Sequence, residues 1–323
     1  MYDKMIKMSY IRGVKMKNSV VKLLHEKELL LKRLENLLYG SVIIRKQGEK
    51  EYIYLSYREQ GLRHTKYAGE YSKELHNLII ENNSLAKQYK KRLREIERNL
   101  DSLGFQEGFL SNDVKINVDL ARRNLVDSIY KQARLEGVLA TYADTETIIS
   151  GGKVQNMTTN DVLKIVNLKR AWEFILNENV ITLETNYNIL RQINGIVEDG
   201  FTYTAGQIRP IPVSVTGTSY IPPIPIESII IETIGRIINS SKNPVDISIE
   251  LMLYVMKSQI FVDGNKRTAV IFANHFLISK GYGLIVIPEE NLDEYRKHLI
   301  DYYEDKNNNI KSFLKEKCSN IIK

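Results

Sequence analysis

Residues Gln259 to Arg267 read Gln-Ile-Phe-Val-Asp-Gly-Asn-Lys-Arg, which sets a carboxylate, a Gly-Asn pair and two cations into five consecutive positions. Those residue types in that order suit a bound phosphate with a metal ion. A helix that begins near Asn265 leaves its first N–H groups unpaired, and these, with the positive end of the helix dipole, can hold phosphate oxygens. Gly264 lets the backbone approach closely. Asp263 can coordinate Mg2+ while phosphates complete the shell. Lys266 and Arg267 can neutralise the same anion, the arginine as a two-pronged donor.

The flanks say what must position this loop. Ile249, Met252, Leu253 and Met256 recur at helical spacing before it, and Ala269, Phe272, Ala273 and Phe276 do so after it, until Gly281 supplies a stop. The spacing predicts a loop that opens a buried helix, with Phe261 anchored in the core. Asp-Gly-Asn also makes type I′ hairpin turns, but the alternation of a hairpin is missing from the flanks.

The stretch resembles the signature of the Fic family, His-x-Phe-x-(Asp/Glu)-Gly-Asn-(Gly/Lys)-Arg-x-x-Arg, with Phe261, Asp263, Gly264, Asn265, Lys266 and Arg267 in register. The resemblance implies AMP transfer from Mg-ATP to a hydroxyl of a target protein. The related Doc branch carries Lys after the Asn and transfers a phosphoryl group. By the same resemblance Asp263 is the metal ligand, Gly264, Asn265, Lys266 and Arg267 bind phosphates, and Mg2+ and ATP are cofactor and substrate. Two positions depart from the pattern. Gln259 stands where the family has the catalytic His, and an amide takes no proton near neutral pH. Val270 stands where the family has its second Arg. Losing a positioned base typically costs roughly 10²- to 10⁴-fold, so the expected activity is impaired or atypical, Gln259 orienting the nucleophile rather than deprotonating it. His275 lies ten residues beyond Asn265 on the same helix, about 15 Å along its axis, and cannot stand in. The alternatives are a catalytically inactive nucleotide- or partner-binding module and a Doc-like kinase or toxin component, the last prompted by Lys266.

Two further segments extend the resemblance. Gln132 to Gly137 and the following Thr141 resemble the inhibitory (Ser/Thr)-x-x-x-Glu-Gly segment, which makes Glu136 the inhibitory carboxylate. With Gln132 in place of the Ser/Thr and Val270 in place of the second Arg, the switch is either vestigial or re-formed by Glu136 pairing with Arg267. Read by itself, Leu-Glu-Gly is only a helix end closed by glycine. The run Val162, Ile165, Val166, Trp172, Ile175 and Leu176 resembles the helix that follows, with Trp172 in the core. Five of the seven prolines lie between Gly206 and Pro225, around the alternation Ile211, Val213 and Val215. A stiff β-hairpin is expected there, and it resembles the flap on which Fic proteins dock a target segment, near Gly206–Tyr220. Gly206 to Arg209 resembles its Gly-x-x-Arg opening. A Pro-rich linker between helices is the plainer reading.

The expected fold is mainly α: a Fic-type helical domain over residues 106–323 with a β-hairpin flap, preceded at 1–105 by a small α+β domain, a basic helical hairpin carrying a small sheet. Residues 1–16 read as a tail before the first clear helix. Val42–Ile44, Tyr52–Tyr57 and Thr65–Ala68 read as short strands, with Tyr52, Tyr54 and Ser56 on one face and Ile53, Leu55 and Tyr57 on the other. Residues 1–100 hold 22 of the 46 Lys and Arg and 12 of the 39 Asp and Glu, so the whole basic excess is N-terminal. A basic face with Tyr52, Tyr54, Tyr57 and Tyr67 could contact nucleic acid. A solvated charged helix pair with cross-strand aromatic packing, or a homo-oligomer interface, accounts for the same residues more simply. No run of about 18 apolar residues is present, and the expected protein is cytoplasmic and makes no use of a membrane. The single cysteine, Cys318, excludes an internal disulfide. The richness in Lys, Ile, Asn and Tyr suggests a bacterial source.

Overall fold

The computed structural model describes residues 2–59, 62–106 and 108–320. It separates into two compact units, one over residues 22–106 and the other over 107–323 together with 1–21. No helix among the described residues is long and apolar enough to cross a membrane.

Helix α1 (Tyr2–Glu35) begins where the sequence suggested a tail. Only Gly13 in that stretch disfavours a helix, and the remaining residues tolerate one. Three strands follow, β1 (Ser41–Gln47), β2 (Lys50–Glu59) and β3 (Leu62–Glu70), in an antiparallel β1-β2-β3 meander, and then the long helix α2 (Lys73–Ser102). Val42 lies opposite Leu55, and Tyr54 lies between Ile43 and Tyr67, with a register shift after Ile53. The expected alternation therefore holds. Ile53 and Leu55 turn inward with Ile79 of α2 as a small core, flanked by Leu38, Val42, Ala68 and Leu75. Ser72 caps α2 by accepting the Leu75 N–H at 3.1 Å. Arg92 of α2 grips Glu26 of α1 with two bonds, Nε–Oε1 at 2.7 Å and Nη2–Oε2 at 2.9 Å. That fork binds the two helices at their surface.

The other unit is helical. Its elements are α3 (Asn112–Arg123), α4 (Leu125–Leu135), α5 (Tyr142–Ile149), α6 (Thr159–Ile175), α7 (Glu178–Ile181), α8 (Tyr187–Val197), α9 (Glu227–Ile238), α10 (Pro244–Ser258) and α11 (Asn265–Ser279). After these come β4 (Leu284–Ile285), a 3₁₀ turn at Glu289–Asn291, α12 (Leu292–Tyr303), α13 (Asn309–Lys317) and β5 (Ser319–Asn320), which pairs with β4. Helix α11 is the axis of the unit: every residue from Arg267 to Ile278 is buried, the polar Arg267, Thr268, Asn274 and His275 among them. Helices α8 and α10 pack against it. Within α11, Asn274 is fully engaged, bonding Val270 O, Ile285 O and the Ile285 N–H at 2.8–2.9 Å. Asn243 caps α10, with Pro244 pre-set at its first turn.

The mainly α class stands, but the hairpin within it does not form as a ladder. Residues 206–225 contain no strand. Pro210, Pro212, Pro222, Pro223 and Pro225 remove the donors that a hairpin needs. The fully buried side chain of Arg209 takes the carbonyls instead, donating to Ile211 O at 2.6 Å, Pro222 O at 3.2 Å and Pro223 O at 2.7 Å.

Candidate nucleotide site

Helix α10 ends in Gln259, which takes the left-handed conformation (φ 44°, ψ 59°) that costs a side-chain-bearing residue about 1 kcal/mol or more. Its amide is occupied within the loop: Nε2 donates to Met256 O at 2.6 Å and Oε1 accepts from Asn265 Nδ2 at 3.2 Å. Asn265 closes the turn from the other side, Nδ2 donating to Phe261 O at 2.8 Å and Oδ1 accepting the Phe261 N–H at 2.9 Å. The Asn265 side chain thus shapes the loop, and what it offers a ligand is its backbone N–H at the start of α11. Phe261 is buried, as the spacing predicts. Asp263 projects outward, its side chain 73% exposed, and accepts the Gly264 N–H at 2.6 Å.

Gly264 has no substitute. Its φ is +73°, and a Cβ there would lie 2.3 Å from Oε1 of Glu198. Glu198 caps the C-terminus of α8 with a side chain 1% exposed, pressed into the loop. Asn194, one turn earlier, donates to Asp263 O and Thr268 Oγ1, both at 3.1 Å, and accepts the Gly206 N–H at 2.8 Å. Helix α8 therefore fixes the loop and the start of the Pro-rich segment through one amide. Arg209 adds a second tie: its N–H reaches Ile260 O at 3.1 Å and its Nε reaches Gln259 O. There it also places a cation at the negative end of α10.

Arg267 points back into the site at 4% exposure, with three carboxylates around it. Nη2 lies 2.9 Å from Glu198 Oε1 and 3.8 Å from Asp263 Oδ1, and Nε lies 3.8 Å from Glu136 Oε2. All three contacts are ion pairs rather than hydrogen bonds, and Glu198 Oε1 and Arg267 Nε and Nη1 have no hydrogen-bond partner. Lys266 Nζ lies 3.7 Å from the other oxygen of Glu136. Burial pushes the Glu198 carboxyl up to about 7; Arg267 opposes that shift, while Asp263 and Glu136 reinforce it. Glu136 itself sits at the C-terminus of α4, before Gly137. Its helix is fastened by Gln132, which donates to Arg267 O at 2.7 Å and accepts from Trp172 Nε1 at 3.0 Å. Val270 is buried beside Gln132, Leu135 and Trp172, in apolar packing.

The structure brings Gln259, Asp263, Gly264, Asn265, Lys266, Arg267 and Glu136 together around one loop. His275 is remote from that role: it is fully buried, bonded to Thr185 Oγ1 at 2.8 Å and to Val180 O at 3.1 Å, and burial lowers its pKa to about 4. Among the described residues no cluster of three His, Cys, Asp or Glu forms a metal cage. A single exposed carboxylate beside an anion nest nevertheless suits Mg2+, which commonly takes one or two carboxylates together with phosphates and water.

Residues 184–277 match the Fic/DOC family. The protein adenylyltransferase Fic of Drosophila mojavensis is 26% identical over 212 residues, covering 62% of this chain and 41% of the relative. That of Drosophila erecta is 25% identical over 235 residues, covering 67% and 46%. The chain thus spans less than half the length of these relatives. Among solved structures, Fic-1 (residues 134–508) from C. elegans superposes with a TM-score of 0.50 at 18% identity, over 75% of this chain and 80% of that one. A Fic-domain signaling protein from Bacteroides thetaiotaomicron does so with a TM-score of 0.50 at 20% identity, over 59% and 75%. The loop, the helices on either side of it and the helix that supplies Asn194 and Glu198 accordingly lie along the stretch that matches the Fic/DOC family, in a mainly α Fic fold.

Proposed function

We propose that this chain binds Mg-ATP at the Gln259–Arg267 loop and transfers AMP to a hydroxyl of a target protein, at a rate held down by Gln259. The observation that carries the reading is Arg267: a guanidinium 4% exposed, with Nε and Nη1 lacking a hydrogen-bond partner, beside the first turn of α11. Buried donors of that kind favour an anion. The N–H groups of residues 265–267 would hold phosphate oxygens with Arg267, and Lys266 would neutralise charge from the rim. Asp263 would hold Mg2+, which when bound offsets phosphate charge.

In the transfer, the target oxygen forms a bond to the α-phosphorus and the bond to pyrophosphate breaks. The hydroxyl proton passes to water or to a base on the target, because the Gln259 amide accepts none. Catalysis would rest on positioning and charge stabilisation. The target would lie along residues 206–220, where Tyr203 and Ile211 stand exposed at the edge of the segment. Two features favour a second reading, a nucleotide-binding module without turnover: Gln259 Nε2 is spent on Met256 O, and Arg267 is already flanked by Glu136 and Glu198.

Calorimetric titration of Mg-ATP into the wild type and Asp263→Ala, followed by mass spectrometry, tests both. Metal-dependent binding that is lost in the variant, with an added AMP mass on protein, is the expected result. Binding without added mass, silent also in Gln259→His, supports the binding module. No binding at all refutes the site.

A further inference from the structure

We propose that the outward face of the β1-β2-β3 sheet is a binding surface for single-stranded nucleic acid. One face of the sheet carries Ile53 and Leu55 and is closed by Ile79 of α2. The alternation then places Tyr52, Tyr54 and Tyr67 together on the opposite face, with Arg45 across from Tyr52 and Arg63 beyond Tyr67. Tyr67 is the hub, 5.5 Å from the Tyr54 ring and 6.2 Å from the Tyr52 ring, tilted to both and 53% exposed. Arg45 lies over Tyr54 at 4.8 Å.

Charge decides the kind of partner. Among the described side chains of this face the cations are Arg45, Lys50 and Arg63. The only carboxylate among those described side chains is Glu70, engaged by Lys50 at 3.1 Å, and Arg63 donates to Ser56 Oγ at 2.8 Å. The unit as a whole, residues 22–106, has 17 Lys and Arg against 12 Asp and Glu. An apolar protein surface would have to bury those cations, whereas a phosphodiester chain would be drawn to them. The rings then favour a single strand over a duplex, because only unpaired bases offer faces for an aromatic platform to stack on. On α2, Arg92 is engaged by Glu26 and Lys90 lies over the Tyr39 ring. Tyr57 lies on the inward face and stacks on His64.

The test is fluorescence anisotropy of the full chain with a labelled mixed-sequence single-stranded oligonucleotide, its duplex as comparison, across a salt series. Single-strand binding should exceed duplex binding and weaken with salt. Tyr67→Ala should lower it roughly five- to a hundredfold, while Tyr67→Phe, which keeps the ring, should leave it nearly unchanged. Arg45→Glu with Arg63→Glu should weaken binding and flatten the salt dependence. Thermal melts show that each variant remains folded. Absence of single-strand binding, equal affinity for the duplex, or insensitivity to Tyr67→Ala overturns the proposal. Sedimentation of the same samples covers the remaining occupant: self-association abolished by Tyr67→Ala, without oligonucleotide binding, would make the face a homomeric interface and also overturn it.

Discussion

Replacing Glu198 by Gln should convert a carboxylate that competes for Arg267 into a neutral group of the same shape. Glu198 Oε1 lies 2.9 Å from Arg267 Nη2 and against Gly264, so a phosphate bound at this loop would have a carboxylate as neighbour. At about 5 Å separation and an effective dielectric of about 20, one such pair of charges repels by about 3 kcal/mol, roughly a hundredfold in affinity. The carboxyl is pushed up to about 7, so about nine-tenths of it is charged at pH 8 and about a tenth at pH 6. Because the wild type can take up a proton on binding rather than bear the full repulsion, calorimetry of Mg-ATP with wild type and Glu198→Gln should give an affinity ratio of about tenfold in favour of the variant at pH 8, shrinking to near one at pH 6. Taking the ratio cancels the titration of ATP itself. Stability should move in parallel. A carboxyl whose folded pKa is raised from 4.5 to about 7 contributes stability that is present below pH 4.5 and lost as pH rises through 7, in all about 3 kcal/mol. Denaturant melts of the variant should lack that slope. A ratio near one at both pH values, from a variant with native circular dichroism, would refute the idea that Glu198 restrains this site.

Gly264→Ala should cost at least about 2 kcal/mol from its φ of +73° and the 2.3 Å contact with Glu198, and nucleotide binding with it; a melting temperature within a degree of wild type would contradict this. Arg209→Lys should destabilise by about 3 kcal/mol or more, because one ammonium cannot span the Gln259, Ile211, Pro222 and Pro223 carbonyls, and limited proteolysis should cut within 210–225. His275 is held neutral by burial, its pKa lowered to about 4. It should contribute about 3 kcal/mol that is present above pH 6.5 and lost as pH falls through 4, and His275→Gln should remove that acid sensitivity. This slope opposes the one from Glu198, so each single variant should expose a pH dependence that the wild type masks.

How much of this was legible in the sequence follows from what kind of interaction each residue makes. The turn at Gln259–Arg267 declares itself because its geometry needs Phe261, Gly264 and Asn265 at fixed short spacing, and the helices around it because burial imposes period on Met252, Met256, Phe272 and Phe276. The sheet was equally plain from Ile53 and Leu55. Glu198 was missed because Val-Glu-Asp-Gly reads as a solvated helix end; its one signal is an acid at the C-terminus of α8, the wrong sign for the dipole. Asn194 looked like any polar residue on an amphipathic helix, since its partners lie 12 to 74 positions away. The Pro-rich segment was expected to be a hairpin from the alternation of Ile211, Val213 and Val215. Alternation says which way side chains point, whereas the prolines and the reach of Arg209 decide where the carbonyls bond. For α1, the tail was inferred from the lack of a clear apolar stripe, which does not prevent residues of ordinary propensity from continuing a helix.

Arg209 carries its charge without a carboxylate partner among its hydrogen bonds, spending its donors on carbonyls from the end of α10 and from both arms of the Pro-rich segment. A single guanidinium thus works as a mortise between the Pro-rich segment and the turn that opens the Gln259–Arg267 loop. Neither part can be redrawn alone. A segment transplanted from a related protein would have to bring carbonyls at the same positions, or the loop at Gln259 would lose its clamp. Sequence drift in 206–225 is therefore constrained less by what it touches outside than by the joint it must keep closed within.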